Sequence, residues 1–322
     1  MRTVHCYGLL PVLLASGFGA DWSRAQSYPT KTVRILTSSV GTGSDIMARI
    51  VAAELSTPLG QPVVVESRPT GPVLAVAAAR AAPDGYSLLV AGSTLWIAPL
   101  FADVSYDYSI RDFAPIVTLA RLPSLLVVHP SLPVRSVAEL IKLAKAKPGQ
   151  LNIATGPDGG SQHIAAELLK SLANLDIVRI LYTNQSLATA DSLSGQVQLT
   201  FGTAGTWAAH IKAGKVRSLA STGSMRSVLY PDLPTVAETL PGYVVDGLNG
   251  FFAPAKTAEA IVRRLNQEAV RVIEKPEVRE RLLNIGQEPV GGSPEQFTDT
   301  IKSEITRVSK LIKDIGIKAG GK

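Results

Sequence analysis

The chain has 322 residues, of which 46% are hydrophobic and 18% are charged. This composition predicts about two domains around a sizeable core and argues against intrinsic disorder. The 27 glycines and 21 prolines exclude a long coiled coil, and the single cysteine, Cys6, excludes a disulfide-built miniprotein. The net charge of +6 comes from scattered basic residues. We therefore expect a solvated basic surface and no nucleic-acid partner.

The first 26 residues have the order of a secretory signal peptide. Arg2 precedes a short apolar stretch, Leu9–Ala15, and small residues follow it. The stretch is shorter than the ~20 residues that span a membrane. We therefore predict a signal peptide over residues 1–26 and a periplasmic mature protein without a thiol, which excludes thiol catalysis, cysteine–zinc sites and disulfides. A mis-assigned start codon is the alternative.

Short β-rich runs alternate with helical stretches along the rest of the chain, which predicts an α/β protein with parallel strands flanked by helices. The predicted strands cover residues 32–38, 62–66, 86–91, 125–129, 151–155, 177–182, 196–201, 216–221 and 251–253. The predicted helices cover residues 44–59, 74–81, 136–146, 162–173, 188–192, 207–213, 258–274 and 294–315. Ser293 can cap the last helix, and Pro294 fits its first turn.

The first strand runs into a glycine-rich segment, Val40–Asp45, at the start of a helix. Gly41 and Gly43 allow backbone N–H groups to approach a ligand, and a helix N-terminus favours an anion. The spacing is similar to a dinucleotide fingerprint, with Glu66 ending the next strand, but Ile46 stands where the third glycine belongs. The segment therefore predicts a small-anion site, with an ordinary capped turn as the alternative.

A second Gly/Ser-rich segment, Thr155–His163, follows the strand at residues 151–155 and opens another helix. Two such turns suggest that one ligand is bound by both of them. Neither segment carries Lys or Arg, so recognition would use main-chain N–H groups, hydroxyls and ordered water. An ordinary turn is again the alternative.

Other chemistries find little support in the residue pattern. Ser161 and His163 lie two apart at a helix start, where side chains point in different directions, and there is no G-x-S-x-G nucleophile elbow. The four histidines lack metal-ligand spacing, so we expect no metal and no cofactor. Trp96 and Trp207 either line a cleft or are simply packed in the core.

Short motifs follow one another in a set order between Tyr28 and Ile317. They are Tyr28-Pro29, Ser44-Asp45-x-x-Ala48-Arg49, Gly60–Glu66 with Arg68-Pro69, Ala82–Tyr86, Asp112–Pro115, Lys147–Gly149, Gly195–Val197, Pro231-Asp232-x-Pro234-Thr235-x-x-Glu238 and Pro276–Arg279. Each motif alone is weak evidence for a protein family, but their order along the chain is highly specific. Through them the chain resembles the periplasmic solute-binding proteins of tripartite tricarboxylate transporters, the Bug/TctC type.

The resemblance implies a two-lobed periplasmic-binding-protein-like (type II) α/β fold, each lobe a mostly parallel sheet flanked by helices. Lobe 1 would comprise residues 27–127 and 245–322, and lobe 2 residues 128–244. The family captures a small carboxylate between the lobes and delivers it to integral-membrane permease subunits, without catalysis. We expect a monomer, with ordered water in the site.

By position, the resemblance carries over Gly41, Ser44 and Asp45 from the first loop, Thr155, Gly159 and His163 from the second, and Tyr182. The complete set of candidate ligand-binding residues is Gly41, Thr42, Gly43, Ser44, Asp45, Ser93, Thr94, Thr155, Asp158, Gly159, Gly160, Ser161, His163, Tyr182 and Thr203.

The chain departs from the family pattern at the proposed site. The departures are Thr42 for the second glycine, a shorter stretch at Thr70–Leu74, Pro157 and Gly160 for Gly and Ser/Thr, and Asn184 for Gly. Where the family commonly has an aspartate after Phe201, this chain has Gly202-Thr203, which weakens the case for a ligand amine unless Asp158 replaces the acid. These changes predict a shifted specificity or lost transport.

Two other function classes stay open beside solute binding for transport. A ligand-binding sensor on the same fold would use the same loops and dock to a kinase or another receptor. Permease genes beside the coding gene would favour transport, and a two-component pair would favour sensing. An exported hydrolase is the third class, and activity on simple esters that Ser161→Ala abolishes would identify it.

Overall fold

The computed structural model describes residues 28–69, 71–101, 107–156 and 160–315. The predicted signal peptide with Cys6 lies outside these residues, as do Pro157, Asp158 and Gly159 of the second glycine-rich segment. No helix within the described ranges is long and apolar enough to cross a membrane.

Strands and helices alternate in the predicted manner over the first half of the chain. The strands are β1 Val33–Thr37, β2 Val63–Ser67, β3 Ser87–Gly92, β4 Phe113–Val128, β5 Asn152–Thr155, β6 Val178–Leu181, β7 Leu199–Thr203, β8 Arg217–Ser221, β9 Asp246–Pro254 and β10 Glu288–Gly291. The helices are α1 Gly43–Leu59, α2 Pro72–Ala79, α3 Thr94–Ile97, α4 Val137–Ala146, α5 Ser161–Ala173, α6 Gln185–Ser194, α7 Ala204–Lys212, α8 Val236–Thr239, α9 Glu259–Glu274, α10 Pro276–Asn284 and α11 Pro294–Ile315.

The predicted cap at the last helix is confirmed. The Ser293 hydroxyl accepts from Gln296 N at 3.2 Å, and the Gln296 side chain accepts from Ser293 N at 2.8 Å. Two backbone donors that the helix leaves without internal acceptors are thereby satisfied. At the other long helix, α1, Thr42 caps the start, and Gly60 ends it with φ of 65°.

Strand β4 belongs to two sheets. Its first part, Phe113–Pro123, pairs with β9 and β10, and its last part, Ser124–Val128, pairs with β7 and β8. The strand order is β2-β1-β3-β9-β4-β7-β5-β6, with β8 and β10 also on β4. Parallel pairing joins β1 to β2 and β3, and β5 to β6 and β7, whereas the pairs that involve β4 or β9 are antiparallel.

The α/β prediction is confirmed, and each sheet is mixed around its parallel strands. Only the last quarter of β4 was predicted, because Pro115 and Pro123 are residues that normally interrupt strands. In the structure the pairing of β4 with β9 shifts register between Pro115 and Val117, which accommodates the first proline. Strand direction in β4 and β9 depends on partners far away in sequence, so the local pattern did not reveal it.

Two large apolar clusters form the core. One lies around β1, β3, α1 and α9 and contains Ile35, Met47 and Leu265. The other is aromatic, with Trp96 and Phe297 among its fully buried members, and it extends across both sheets. Trp96 and Trp207 are 2% and 0% exposed, so both indoles are packed inside the protein.

Candidate functional site

A cavity of about 400 Å³ lies where the helices that follow β1, β2, β5 and β7 begin. Its lining includes Gly43 and Ser44 of α1, Pro72 of α2, Ser161 of α5, and Thr203 before α7. Ligands of open α/β sheets bind beyond the carboxyl ends of parallel strands, and this cavity has that position. The fold therefore brings the two predicted glycine-rich turns to one cavity.

Four helix N-termini converge on this cavity, and Asp246, Glu304 and Arg307 also line it. Helices α1, α2, α5 and α7 have 17, 8, 13 and 9 residues. Each N-terminus carries unpaired N–H groups and about half a positive charge. Among the described residues no lysine lines the cavity, and Arg307 is its one arginine. The arrangement favours an anion held by main-chain N–H groups and hydroxyls.

The first turn is held in shape by Asp45, whose side chain points away from the cavity. Asp45 is 1% exposed and accepts hydrogen bonds from Gly41 N at 3.0 Å, Ser67 Oγ at 2.7 Å and Arg49 Nε at 3.1 Å. Burial opposes its ionisation, but these hydrogen bonds prevail and hold the pKa of Asp45 below its usual value. Gly41, with φ of 82°, adopts the left-handed conformation that this turn requires.

A closed set of hydrogen bonds fixes the start of α1 against the opposite side of the site. Ser44 Oγ donates to Asn249 Oδ1 at 2.7 Å, and Asn249 Nδ2 donates to Gln287 Oε1 at 2.9 Å. Gln287 Nε2 then donates to Gly43 O at 2.8 Å. Both amide side chains are 2% exposed. The helix start is thus positioned by residues more than 200 positions away in sequence.

The second turn is braced by an arginine from the neighbouring strand. Arg179 of β6 donates from Nε to Thr155 Oγ1 at 2.7 Å and from a terminal nitrogen to Gly156 O at 3.2 Å. Thr155 is 1% exposed, so its hydroxyl serves the loop. Each glycine-rich turn therefore has one supporting arginine, Arg49 or Arg179, although neither turn contains one.

The structure brings many but not all of the predicted residues to the cavity. Those that line it are Thr42, Gly43, Ser44, Ser93, Thr94, Ser161 and Thr203. Asp45, Thr155 and His163 are buried behind it, and His163 packs against the Phe101 ring with centroids 5.6 Å apart. Gly41 does not line it either. Asp158 and Gly159 lie outside the described residues, so their contact with a ligand stays a prediction.

Tyr182 and Gly160 line a smaller cavity of about 270 Å³ beside the first. The two cavities share Ser124, Ser161 and Thr203. The Tyr182 hydroxyl donates to Asp191 at 2.6 Å. Burial and this hydrogen bond raise the pKa of Tyr182 to about 12, so the phenol stays neutral.

Gly202, which follows Phe201 in β7, is covered by Trp207. A Cβ atom on Gly202 would lie 2.2 Å from Trp207 Nε1 and 2.7 Å from its Cδ1. Trp207 is fully buried, and its Nε1 has no hydrogen-bond partner among the described residues. The indole therefore takes the space that a side chain at residue 202 would need, so an aspartate there requires Trp207 to move.

We expect Gly202→Ala to lower the free energy of unfolding by about 1–3 kcal/mol, because it overpacks a closed site. Urea unfolding measures this loss. Gly205→Ala is the matched control, since its Cβ has no neighbour closer than 4.0 Å. The double variant with Trp207→Phe should cost less than the sum of the single changes. A Gly202→Ala chain as stable as the Gly205→Ala chain would contradict this packing.

Several residues of the site escaped the sequence analysis. Ser38, Ser124, Tyr108, Asn249, Glu304 and Arg307 line the cavity, and Arg49 and Arg179 support its turns. Of these residues, Arg49 was the one with a signal in the sequence, because it belongs to the motif Ser44-Asp45-x-x-Ala48-Arg49. No three His, Cys, Asp or Glu side chains in the described ranges are grouped as metal ligands would be.

The chain is similar to a known protein family and to several known proteins. The model of a family described as "Tripartite tricarboxylate transporter family receptor" matches residues 47–317. The chain is similar to Protein BugT of Bordetella pertussis, with 31% identity and coverage of 99% of both chains.

Two solved structures are similar over their whole length. Rpa4515 of R. palustris, solved with adipate, is 31% identical with a TM-score of 0.76, and the match covers 90% of this chain and 99% of that one. MatC of Rhodopseudomonas palustris, with bound malate, is 27% identical with a TM-score of 0.71, covering 88% and 100%. This likeness confirms the predicted fold class.

Proposed function

The chain belongs to the tripartite tricarboxylate transporter receptor family, and from this premise we propose that it captures a small carboxylate in the cavity described above. It acts as the solute-binding receptor of a tripartite transporter and passes the ligand to the membrane permease subunits. The observation that carries the carboxylate assignment is the convergence of four helix N-termini on one cavity. The adipate and malate in the two related structures support it.

Capture is proposed to occur by closure of two lobes, residues 27–127 with 245–322 and residues 128–244. The chain would pass between the lobes twice, and Thr222, which is fully buried, forms hydrogen bonds close to both of these points. Thr222 N donates to Ser124 O at 2.8 Å, and its Oγ1 donates to Val245 O at 2.7 Å. A hinge at such paired segments would let ligand shift an open form to a closed one.

We propose that the protein performs no chemistry, acts as a monomer in the periplasm and holds ordered water beside its ligand. The receptor family supports the absence of catalysis, and the burial of His163 behind the cavity wall separates it from Ser161 at the lining. The family also favours transport over the sensor alternative.

A panel of small carboxylates tested by thermal unfolding of the chain from Gln26 onward examines this proposal. At 100 times its dissociation constant, a ligand adds about 2.7 kcal/mol of stability, which raises the Tm by about 5 °C. We expect such a rise with at least one carboxylate. The methyl ester of the same acid is the control and should give no rise. A flat panel, with the protein folded and free of carried-over ligand, would refute carboxylate capture.

A further inference from the structure

A buried acid, Glu304 of α11, lies on a wall of the same cavity. It is 9% exposed, and Trp96 Nε1 donates to its Oε2 at 2.8 Å. Trp96 itself packs against Phe252 and Phe297, so the carboxyl group sits in an aromatic environment. The proposed carboxylate site gives no reason for an acid here, because an acid repels the ligand's own charge.

The surface beyond the helix N-termini is largely apolar. Side chains from α2, α3, α5 and α11 line it, namely Leu74, Leu95, Ile97, Ile164 and Val308. Such a surface removes an alkyl chain or ring from water and gains stability from doing so. These five side chains offer a second carboxylate no hydrogen-bond donors, and leaving a charge without partners is costly.

The charged groups of this wall are two acids and one base. Arg307 follows Glu304 by three positions on α11, so the two side chains share a helix face. Asp246 reaches the cavity from β9. Arg121 of β4 lies near Asp246, but it is paired with Glu288 at 3.4 Å. Both carboxyl groups lie within the electrostatic influence of the Arg307 guanidinium, and the described lining of this wall thus has one more acid than base.

We propose that this cavity takes a monocarboxylate with an apolar body, and that Glu304 is the residue that disfavours a second carboxylate on the ligand. This inference rests on the proposed function. The single carboxylate is held at the helix N-termini, and the apolar body lies along α2, α3 and α11. The relatives solved with adipate and malate hold dicarboxylates, so the specificity of this chain differs from theirs.

The discrimination should depend on pH. Burial raises the pKa of Glu304 to about 7, with Asp246 acting in the same direction and the Trp96 hydrogen bond and Arg307 acting against it. A dicarboxylate can bind once Glu304 takes up a proton. At pH 6 most molecules already carry this proton, whereas at pH 8 about one in ten does, which lowers the dicarboxylate affinity about tenfold. A monocarboxylate makes no such demand.

The test measures affinities by titration calorimetry for three ligand pairs of equal chain length: butyrate and succinate, hexanoate and adipate, octanoate and suberate. Wild type, Glu304→Gln and Asp314→Asn are compared at pH 6 and pH 8. The amide that replaces the carboxyl group in Glu304→Gln is uncharged but can still accept a hydrogen bond from Trp96, so this variant removes only the charge. Asp314→Asn removes an exposed acid from the same helix and should behave as wild type.

We expect the wild type to bind at least one monocarboxylate tenfold or more tightly than its paired dicarboxylate at pH 8. Between pH 8 and pH 6 its dicarboxylate affinity should rise about tenfold more than that of Glu304→Gln, which serves as the reference for the ligand's own titration. In Glu304→Gln the ratio between the pair should fall about tenfold at pH 8.

Other outcomes separate the two proposals. Tighter binding of the dicarboxylate by wild type at pH 8, or an unchanged ratio in Glu304→Gln, would overturn the specificity inference and leave carboxylate capture standing. Failure of every mono- and dicarboxylate to bind the folded chain would overturn both.

Discussion

The Asp45→Ala variant is expected to unfold with a free energy about 2–3 kcal/mol below that of the wild type and to lose most of its carboxylate affinity. The change removes an ionised acceptor from three donors, Gly41 N, Ser67 Oγ and Arg49 Nε. Arg49 is half-exposed and can turn to water, which keeps the loss below that of a fully buried ion pair. Affinity falls because the turn before α1 loses the contact that shapes it.

The loss of stability should itself depend on pH. Because the folded protein lowers the pKa of Asp45, this stabilisation is present above the unfolded pKa of about 3.9 and is lost as the pH falls through the folded pKa. The wild type and Asp45→Ala should therefore differ fully at pH 7 and converge in acid. Urea unfolding at pH 7 and near pH 3 measures both differences.

Asp299→Ala is the matched control, since Asp299 pairs with Lys302 on the exposed face of α11. It should change stability by less than about 0.5 kcal/mol and leave ligand binding intact. If Asp45→Ala retained wild-type affinity, the turn would hold its shape without the carboxylate, and our assignment of Asp45 as a supporting residue would be wrong.

The second large effect is a gain: Glu304→Gln should be about 3 kcal/mol more stable than the wild type at pH 8. Burial raises the pKa of Glu304 from its usual value of 4.5 to about 7. At 1.36 kcal/mol for each pH unit between these values, the folded wild type loses about 3 kcal/mol relative to the unfolded chain as the pH rises through this window. Glutamine does not ionise and avoids the loss.

The sign follows from proton release. A carboxyl group with a raised folded pKa makes unfolding release protons between pH 4.5 and about 7, so higher pH favours the unfolded chain until about pH 7. The two proteins should therefore have similar unfolding midpoints at pH 4.5 and separate at pH 8. Asp314→Asn should follow the wild type at both values. An equal difference at both pH values would show that Glu304 does not titrate in this range.

Local sequence explains much of the fold. Helix α11 begins at the predicted residue, because Ser293 and Pro294 suit a helix start. Helix α1 begins one residue before the predicted bound, because Thr42 caps it. By contrast, α10 and β10 were not predicted, and most of β4 was not, because its prolines gave a misleading local signal.

Part of the candidate site was likewise predictable from local sequence, and part was not. The two glycine-rich turns were found because a strand, a glycine pair and a helix start are adjacent in sequence, a combination that favours an anion. The roles of their polar residues were not found. Asp45 and Thr155 are residue types that often contact ligands. In the structure their side chains instead accept hydrogen bonds from Arg49 and Arg179.

The sequence by itself determined where most strands and helices of the first half form, where the two glycine-rich turns lie, and which family the chain resembles. These depend on backbone preference and spacing among neighbouring residues. Only the tertiary structure decided which side chains face the cavity, because contacts between distant residues set this: Ser44 with Asn249, 205 positions apart, and Trp96 with Glu304, 208 apart. Close packing then fixes the orientation of each side chain, and the local sequence pattern does not predict this orientation.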